Sequence, residues 1–411
     1  MKEKRYSLKD FELSTEENVI TRSRRFQSYI DQLNDLGCKS YWIESISGIG
    51  STMEIKECKK QVISFVSNDY LGMSQRPETI NAGIEALKKY GTGACAAQVI
   101  GGYLDIHHQL EYEIADFVGQ DDAILFSSGF GANAGLLRAL LGKNDLALID
   151  SFIHTSALAG LKGTNVKHIG HNDPQYLDSV LEREKNKYQT KLVIIDGVYS
   201  QDGDLSKLPE IIDICKKHDV LLMMDDAHGI GVFGKTGRGT AEYLNCLGKI
   251  DIITGTFSKS FGCVGGFVAA SKLIIQYLKF YADSNIFSAA LTPQVTNSVL
   301  MAIWLIKNKP EIRTKLWDNV NYLRNKLTIE RFDIGKSVSP IFPLMIRDNQ
   351  KVYEASKFLL QNGIYTNGIV YPAVRTKEAR LRITILASHN REQLDKLIEV
   401  LCDVDKMLHI R

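Results

Sequence analysis

The sequence predicts an α/β fold with a mainly parallel central sheet covered by helices on both faces, followed by a smaller α+β domain. Between about residues 61 and 300, short apolar runs rich in β-branched residues recur: VISFV, AILFSS, LALID, LVIID, VLLMMD, DIITGT and GGFVAA. Amphipathic or glycine-bounded helical stretches separate these runs. Such alternation is typical of βαβ units, whose strands run parallel with helices on both faces of the sheet.

Three segments of different composition follow one another along the chain. Residues 1–60 are polar and charge-rich, and only one helix is predicted there, over 23–36. They carry too few apolar residues for a core of their own. We therefore predict an N-terminal arm (1–60), a large α/β domain (61–300) and a small α+β domain (301–411).

The small domain is predicted from a change in pattern after residue 300. Its predicted elements are a helix over 301–328, the strand IFPLMI, a helix over 351–361, the strands IYTNGI and LRITILA, and a helix over 391–408.

Composition excludes several classes of protein. Hydrophobic residues make up 44% of the 411 residues and charged residues 24%, as in ordinary globular proteins. The formal net charge of +2 provides no electrostatic basis for binding nucleic acid or an acidic membrane surface. Apolar runs such as 220–224 are too short to span a bilayer, so no transmembrane segment is expected, and the N-terminus does not resemble a signal peptide.

The cysteines indicate a reducing compartment. All 7 are scattered and none forms a CxxC pair, which argues against a disulfide framework and against a zinc site. We expect a cytoplasmic protein without a bound metal.

The segment GTFSKSFG (255–262) follows the predicted strand DIIT. Lys259 there stands beside small hydroxyl residues at a strand end, which is what a Schiff-base lysine near a phosphate requires. A surface lysine in a turn is the alternative interpretation of this segment alone.

The segment LLMMDDAHGIGVFG (221–234) places Asp225 at the end of an apolar strand. Burying that carboxylate is costly without a cationic partner, and the protonated pyridine nitrogen of pyridoxal 5'-phosphate (PLP) is such a partner. His228, three residues on, can donate to the phenolic oxygen of the same ring. Alone, the pair is also compatible with a turn-capping aspartate and a core histidine.

Further polar groups follow other predicted strands. The glycine-rich segment LFSSGFGANAG (125–135) runs from a strand into a helix start, whose free N–H groups suit a single phosphate. His154 follows LALID, where its ring can stack on a flat cofactor, and Ser200 lies beyond LVIID. The runs themselves end in Ser or Asp at Ser127, Asp150, Asp196 and Asp225. Ligands of such folds bind beyond the carboxyl ends of the strands, so we predict a PLP site there.

With those residues in place, the chain resembles the α-oxoamine synthases, a PLP-dependent family of fold type I. The resemblance covers roughly residues 60–400. It is carried by the segments SNDYLG (67–72), GTG…GGYLDIHHQLE (91–111), SSGFGAN (127–133), VYSQDGD (198–204), DDAHGIGVFG (225–234), TFSKS (256–260) and ARLRIT (379–384).

The resemblance implies roles around the cofactor ring. Lys259 binds PLP covalently as a Schiff base and moves protons, and Asp225 pairs with the pyridine nitrogen. His154 stacks on the ring, while Ser200 and His228 contact its phenolic oxygen. Lys259, His154, Asp225 and His228 are thus the expected catalytic residues.

It also implies contacts to the phosphate and the substrate. The residues expected near the phosphate are Ser128, Gly129, Phe130, Thr256, Ser258 and Ser288 of the partner subunit. Asn68 and Arg382 are expected to hold the substrate carboxylate, the latter as a bidentate fork. The implied assembly is a homodimer with active sites at the subunit interface.

The implied reaction joins an amino acid to an acyl thioester, on CoA or acyl carrier protein, with loss of CO2 and release of the thiol. Within the family, TFSKS followed by VGGF is most similar to serine palmitoyltransferase, an enzyme of sphingolipid biosynthesis, which implies a long-chain acyl group. Gln98 stands where relatives usually carry Arg and Tyr103 where they often carry Thr. The missing Arg argues against a dicarboxylic acyl group such as succinyl.

Alternatives remain for the substrate and the activity. Cysteate, glycine or alanine can replace serine, and the chain can match a 2-amino-3-ketobutyrate CoA ligase or an 8-amino-7-oxononanoate synthase. An ordinary fold-type I aminotransferase shares the Asp and Lys but releases no CO2. A non-catalytic subunit is a third class, although such partners lose the lysine that is present here as Lys259.

Overall fold

The computed structural model describes residues 17–35, 41–56 and 60–411. The chain divides into two compact units. One unit comprises residues 68–316, and the other comprises the described residues up to Ser67 together with 317–411.

Most strands of the large sheet follow predicted apolar runs, whereas the strand Thr52–Ile55 was not predicted and the predicted strand IYTNGI forms two short strands in different sheets. In chain order the strands are β1 (Thr52–Ile55), β2 (Lys60–Ser64), β3 (Asp122–Phe126), β4 (Leu146–Asp150), β5 (Asn165–Ile169), β6 (Lys191–Asp196), β7 (Leu221–Asp225), β8 (Ile252–Thr256), β9 (Gly266–Ala270), β10 (Ile341–Met345), β11 (Ile364–Tyr365), β12 (Asn367–Ile369) and β13 (Arg380–Thr384).

The helices alternate with the strands in the unit 68–316, as predicted. In chain order the helices are α1 (Val19–Asp35), α2 (Pro77–Tyr90), α3 (Asp105–Val118), α4 (Gly129–Leu140), α5 (Thr155–Gly160), α6 (Pro174–Arg183), α7 (Leu208–His218), α8 (Thr240–Tyr243), α9 (Lys272–Tyr281), α10 (Asp283–Ile286), α11 (Pro293–Asn308), α12 (Pro310–Ile329), α13 (Asn349–Gln361) and α14 (Arg391–Leu408).

The unit 68–316 is built on a seven-stranded sheet of order β3-β9-β8-β7-β6-β4-β5. Neighbours from β8 to β5 run parallel, whereas β9 runs antiparallel to both β3 and β8. The predicted PLP-dependent fold type I, with a mainly parallel sheet flanked by helices, is confirmed. Buried side chains such as Leu136, Ile149 and Met223 pack between α4 and the sheet and form its core.

The other unit contains two three-stranded sheets, β1-β2-β11 and β10-β13-β12. Its last helix, α14, begins and ends at the predicted residues. The reason is local, because Asn390 and Gln393 form a reciprocal capping box at its first turn.

Several predicted elements differ from the structure. VISFV was predicted to belong to the α/β domain, but β2 pairs with β1 and β11, a partner about 300 residues away that no local pattern indicates. The predicted helical stretch over 301–328 is helical but interrupted at Lys309. Pro310 lacks the N–H that would continue α11, so a new helix, α12, starts at that residue.

The edge strand β5 was not predicted. Its sequence NVKHI is mostly exposed or half-buried, so it lacks the apolar pattern of the inner strands. β5 pairs in parallel with β4, so the carboxyl ends of the two strands lie at the same edge of the sheet.

The predicted boundaries at residues 60 and 300 also differ from the division into units. β2 lies in the sheet of the smaller unit, and α11 contacts α2 through Asn297 and Ser298, which donate to carbonyl oxygens of that helix at 2.7 and 2.8 Å. In the predicted arm, α1 begins earlier than expected, at Val19. Residues 1–16, 36–40 and 57–59 of the arm, with the predicted helix end at residue 36, lie outside the described residues.

Candidate active site

A cavity of about 300 Å³ lies at the carboxyl ends of the parallel strands in the unit 68–316. Most of the predicted site residues line this cavity. Those that line it are Ser128, Gly129, Phe130, His154, Ser200, Asp225, His228, Thr256, Ser258 and Lys259.

Three predicted residues are not among those that line this cavity. Ser288 lies in the same unit, where its hydroxyl is 3.5 Å from that of Ser127. Asn68 is half-buried at the start of the unit, and its carbonyl accepts from the Tyr70 N–H at 2.8 Å. Arg382 belongs to the other unit, where it lies buried in β13 and donates to Thr384 at 3.0 Å.

Asp225 is held rigidly at the base of the cavity. Its Oδ2 accepts from Asn133 Nδ2 at 2.6 Å, and its Oδ1 accepts from the Ala227 N–H at 3.0 Å. Asn133 also donates to the Ser156 hydroxyl at 2.8 Å. Two donors therefore fix the orientation of a carboxylate that faces the cavity.

A second carboxyl group stands beside Asp225, because β6 and β7 end in register with Asp196 opposite Asp225. Asp196 is buried and also lines the cavity. Burial raises the pKa of Asp196 well above its usual value, and the neighbouring charge of Asp225 adds to the increase, while Lys259 opposes it. Two carboxyl groups side by side give this end of the cavity an acidic character, which suits a cationic group of a ligand.

His154 lies on the same side of the sheet, immediately before α5. Its Nδ1 is 2.7 Å from the Ser156 hydroxyl, which fixes the plane of the ring. Burial lowers the pKa of His154; Asp225 opposes that shift and Lys259 adds to it. The neutral form of the ring is thereby favoured.

His228 is held from outside the cavity by Tyr70. The Tyr70 hydroxyl lies 2.7 Å from His228 Nδ1, in a buried contact. The turn just before His228 is stabilised by Asp226. The carboxylate of Asp226 accepts hydrogen bonds from the backbone N–H and the hydroxyl of Thr240 at 2.8 and 2.6 Å. Burial raises the pKa of Asp226 to about 7, although both hydrogen bonds from Thr240 oppose the rise.

The phosphate end is formed by the start of α4 and the end of β8. Ser128 caps the helix, its hydroxyl accepting from the Gly131 N–H at 2.9 Å. The hydroxyls of Thr256 and Ser258 lie 2.8 Å apart beside that turn. A Cβ on Gly129 would lie 2.8 Å from the Thr256 Cβ, so only glycine fits there.

These features fit PLP at both ends of the molecule. The first turn of α4 and two hydroxyls provide donors for a dianionic phosphate. Asp225, already fixed by two hydrogen bonds, can face a protonated pyridine nitrogen, and Lys259 lines the same cavity. The fold and this donor set define a PLP-dependent enzyme of fold type I.

Comparison with known proteins identifies the family. The model of the aminotransferase class I and II family matches residues 60–401. The chain therefore belongs to that family, and within it the chain is an α-oxoamine synthase, a PLP-dependent acyltransferase.

Two curated relatives and one solved structure are similar over most of the chain. The serine palmitoyltransferase of Sphingobacterium spiritivorum is 40% identical over 353 residues, which cover 85% of this chain and 88% of that protein. The 8-amino-7-oxononanoate synthase of Thermoanaerobacter pseudethanolicus is 40% identical over 370 residues, covering 90% and 93%. A high-resolution structure of SPT with a PLP internal aldimine superposes with a TM-score of 0.91 at 30% identity, covering 96% and 100%.

The sequence analysis missed Asn133 and Ser156 as members of the site, and it named Asp196 only as a polar strand end without assigning it a role. Asp196 had a signal, because it ends an apolar strand in the same way as Asp225. Asn133 and Ser156 had none, because their partners are reached through the tertiary fold; Asn133 and Asp225 are 92 residues apart.

Replacing Gly129 with alanine should weaken cofactor binding. The added methyl group would meet Thr256 at 2.8 Å and push apart the two elements that hold the phosphate. We expect Gly129→Ala to raise the PLP dissociation constant at least about tenfold, the equivalent of 1.4 kcal/mol. Absorbance titration of the apo-protein with PLP measures this. In Gly142→Ala the new methyl group meets open space, its nearest neighbour being an Asp145 oxygen at 3.9 Å, so affinity should stay unchanged. Equal affinities for both variants and the wild type would contradict this assignment.

Proposed function

We propose that this protein condenses an amino acid with a long-chain acyl thioester, with loss of CO2 and release of the thiol, in the manner of a serine palmitoyltransferase. The observation that carries the proposal is the cavity that unites Lys259 with the fixed carboxylate of Asp225 and a phosphate cradle at Gly129. The 40% identity to a serine palmitoyltransferase and the TM-score of 0.91 to an SPT structure support the substrate class.

The acyl group is inferred from the segment 91–111. This segment contains no lysine or arginine. Gln98 is uncharged, and its Oε1 accepts from Asn285 Nδ2 at 3.1 Å. The nearby Lys279 is already balanced by Glu111 at 3.4 Å and Asp122 at 3.8 Å. A carboxylate at the far end of an acyl chain would be desolvated here without a cationic partner, which disfavours dicarboxylic acyl groups.

The second substitution in that segment, Tyr103, also has an internal partner. Its hydroxyl donates to Glu111 Oε2 at 2.5 Å, and burial together with that acid raises the pKa of Tyr103 far above its usual value. Tyr103 therefore stays a neutral, partly apolar surface, which suits an acyl chain better than an anion.

We further propose a homodimer with shared active sites. Val99, Ile100 and Phe287 are exposed, and the Asn285–Gln98 hydrogen bond connects the two segments that carry them. Exposed apolar side chains in adjacent segments favour burial against another surface. Ser288 directly follows Phe287, which supports a contact from that side chain to the phosphate in the partner's site.

Cytoplasmic localisation is part of the same proposal. Cys95, Cys215, Cys246, Cys263 and Cys402 are free in the structure, as expected in a reducing compartment. Across residues 17–35, 41–56 and 60–411, none of the helices has the length and apolar character needed to cross a membrane.

Each residue around the cofactor would have a distinct role. When bound, PLP supplies a carbonyl that condenses with amines and a ring that accepts electrons from a bond broken at Cα. Lys259 Nζ would hold the cofactor before the substrate arrives and then take the proton from Cα. Asp225 would keep the pyridine nitrogen protonated, and Asn133 would keep Asp225 in place. His154, with a lowered pKa, would cover one face of the ring as a neutral imidazole and exclude water from it.

The remaining residues would orient the two reactants. Ser200 and His228 would hold the phenolic oxygen, with Tyr70 fixing the ring of His228. Asn68 and Arg382 would bind the amino-acid carboxylate, which must be held before it can leave as CO2.

A second candidate is the same chemistry with a pimeloyl group. It is favoured by the relative named 8-amino-7-oxononanoate synthase, which is as similar as the serine palmitoyltransferase at 40% identity. The missing cation in the segment 91–111 is the observation against it when the pimeloyl group carries a free carboxylate.

Lys259→Ala should abolish covalent cofactor binding. Turnover should fall by at least about a thousandfold, because both the attachment point and the proton acceptor are lost. In the wild type, borohydride should fix PLP on the peptide that contains Lys259, which peptide mapping detects. The exposed Lys249→Ala variant serves as the control and should retain the label and the activity. Wild-type turnover in the Lys259 variant would contradict the role.

Arg382→Ala should weaken binding of the amino acid and leave PLP bound. Removing one side of a buried ionic contact typically costs about 3–5 kcal/mol, so the amino-acid dissociation constant should rise at least about a hundredfold. Spectral titration of the holoenzyme with amino acid measures the change. Arg380→Ala is the matched comparison, since Arg380 is equally buried in β13. A loss of affinity confined to the Arg380 variant would assign the contact to that residue instead.

The substrate class is tested by a panel of thioesters. Acetyl, succinyl, pimeloyl and palmitoyl groups, on CoA and on acyl carrier protein, are combined with serine, glycine, alanine and cysteate. Palmitoyl should be preferred, since each buried methylene contributes about 0.8 kcal/mol, or roughly fourfold in affinity, up to the length of the channel. Release of CO2 and thiol is followed together. A preference for acetyl or pimeloyl would overturn the long-chain assignment, and a keto acid formed without CO2 would indicate transamination.

A further inference from the structure

His171 occupies a bridging position beside the active site. It follows β5 by two residues, and its ring lies between two carboxylates of other segments. Nδ1 is 3.0 Å from Asp150 Oδ1, and Nε2 is 3.0 Å from Asp204 Oδ2. Asp150 ends β4 and Asp204 lies in the loop after β6, so one imidazole joins two segments that are far apart in the chain.

The ring is enclosed by two aromatic side chains. Phe152 stacks on it at 4.2 Å between ring centroids, and Tyr199 meets it edge-on at 4.4 Å. The Tyr199 hydroxyl donates to Asp150 Oδ2 at 2.8 Å. The titratable groups that face the ring are therefore Asp150 from β4 and Asp204 and Tyr199 from the loop after β6.

This geometry favours the imidazolium form. A neutral imidazole has one N–H and one lone pair, and the lone pair would then face a carboxylate oxygen. Burial disfavours the charged ring, but the hydrogen bonds and charges of Asp150 and Asp204 outweigh burial and raise the pKa of His171 to about 9. The bridge is thus made of two charge-assisted hydrogen bonds at neutral pH.

The two carboxylates that contact His171 belong to segments that also carry cavity-lining residues. Asp150 precedes His154 by four residues, and the Asp150 Oδ1 also accepts from the Phe152 N–H at 2.8 Å. Asp204 closes the turn that carries Ser200, because the Tyr199 N–H donates to the Asp204 carbonyl at 3.0 Å. His154 and Ser200 both line the cavity, on the two segments that His171 connects.

We propose that His171 is a positioning residue whose protonated ring ties the His154 segment to the Ser200 turn and so sets the spacing of the two side chains around the cofactor ring. The proposal rests on the proposed function only in assigning His154 and Ser200 to that ring. It makes His171 a pH-dependent determinant of cofactor affinity, although it does not line the cavity.

The first test compares PLP dissociation constants of the apo-proteins. His171→Gln retains size and one hydrogen bond but cannot carry charge. It should bind PLP about tenfold more weakly than the wild type at pH 7. His168→Gln is the control, since His168 lies on β5, three residues before His171, and is exposed; this variant should bind PLP as the wild type does. An unchanged affinity in His171→Gln at pH 7 would overturn the proposal.

The second readout is the pH dependence of the ratio between the variant and wild-type constants. The folded-state pKa of about 9 lies above the ordinary value of 6.5, so the stabilisation is complete below pH 6.5 and is lost as pH rises through 9. The ratio should therefore fall towards one between pH 7 and pH 10. Changes in cofactor ionisation cancel in the ratio. A tenfold ratio that persists at pH 10 would indicate a charge-independent packing role and overturn the proposal.

A direct titration keeps the test valid if His171→Gln does not fold. Nuclear magnetic resonance of the ring nitrogens in 15N-histidine-labelled apo-protein should show one imidazole that titrates near pH 9. Its pH midpoint distinguishes it from the other histidines. In Asp204→Asn that midpoint should move towards 6.5, because one of the two carboxylates has been neutralised. Midpoints for all histidines below 7 in the wild type would overturn the proposal. These measurements use neither amino acid nor thioester, so an error in the substrate class leaves them unaffected.

Discussion

Three neighbouring parallel strands, β4, β6 and β7, each end in an aspartate at the same edge of the sheet. Asp150, Asp196 and Asp225 are thereby brought close together at low exposure, where like charges repel and lose solvation. Each therefore needs its own compensation from the surrounding structure. Much of the site can be understood as the set of groups that provide it.

The compensation differs for each aspartate, and the difference assigns their roles. Asp150 has Tyr199 and a protonated His171, so its charge is neutralised within the protein. Asp196 accepts a hydrogen bond from the His154 backbone, and burial beside Asp225 raises its pKa well above the usual value. Asp225 accepts hydrogen bonds from the neutral donors Asn133 and Ala227, which orient a carboxylate that faces the cavity. A cationic ring nitrogen of PLP is the partner that suits this last arrangement.

The residues proposed to hold the cofactor and those proposed to select the acyl group lie in different segments of the unit 68–316. The groups proposed to hold the cofactor stand on strand ends and on the start of α4, where the backbone is rigid. The residues that depart from the usual pattern, Gln98 and Tyr103, lie in a connecting segment and are held by Asn285 and Glu111. Substitutions in such a segment can change the acyl group accepted without disturbing Asp225 or Lys259.

The sequence by itself determined the inner strands, the alternation with helices and most of the site. Buried parallel strands must be apolar along their length, so a polar residue at the end of such a run is conspicuous, as Asp225 and Lys259 are. Local capping likewise set the ends of α14. Only the tertiary structure decided which sheet VISFV joins, that NVKHI forms an edge strand, and that Asn133 and His171 reach carboxylates distant in sequence. These features depend on pairing and contact between remote segments, and no periodicity or composition of a single segment records which partner it will meet.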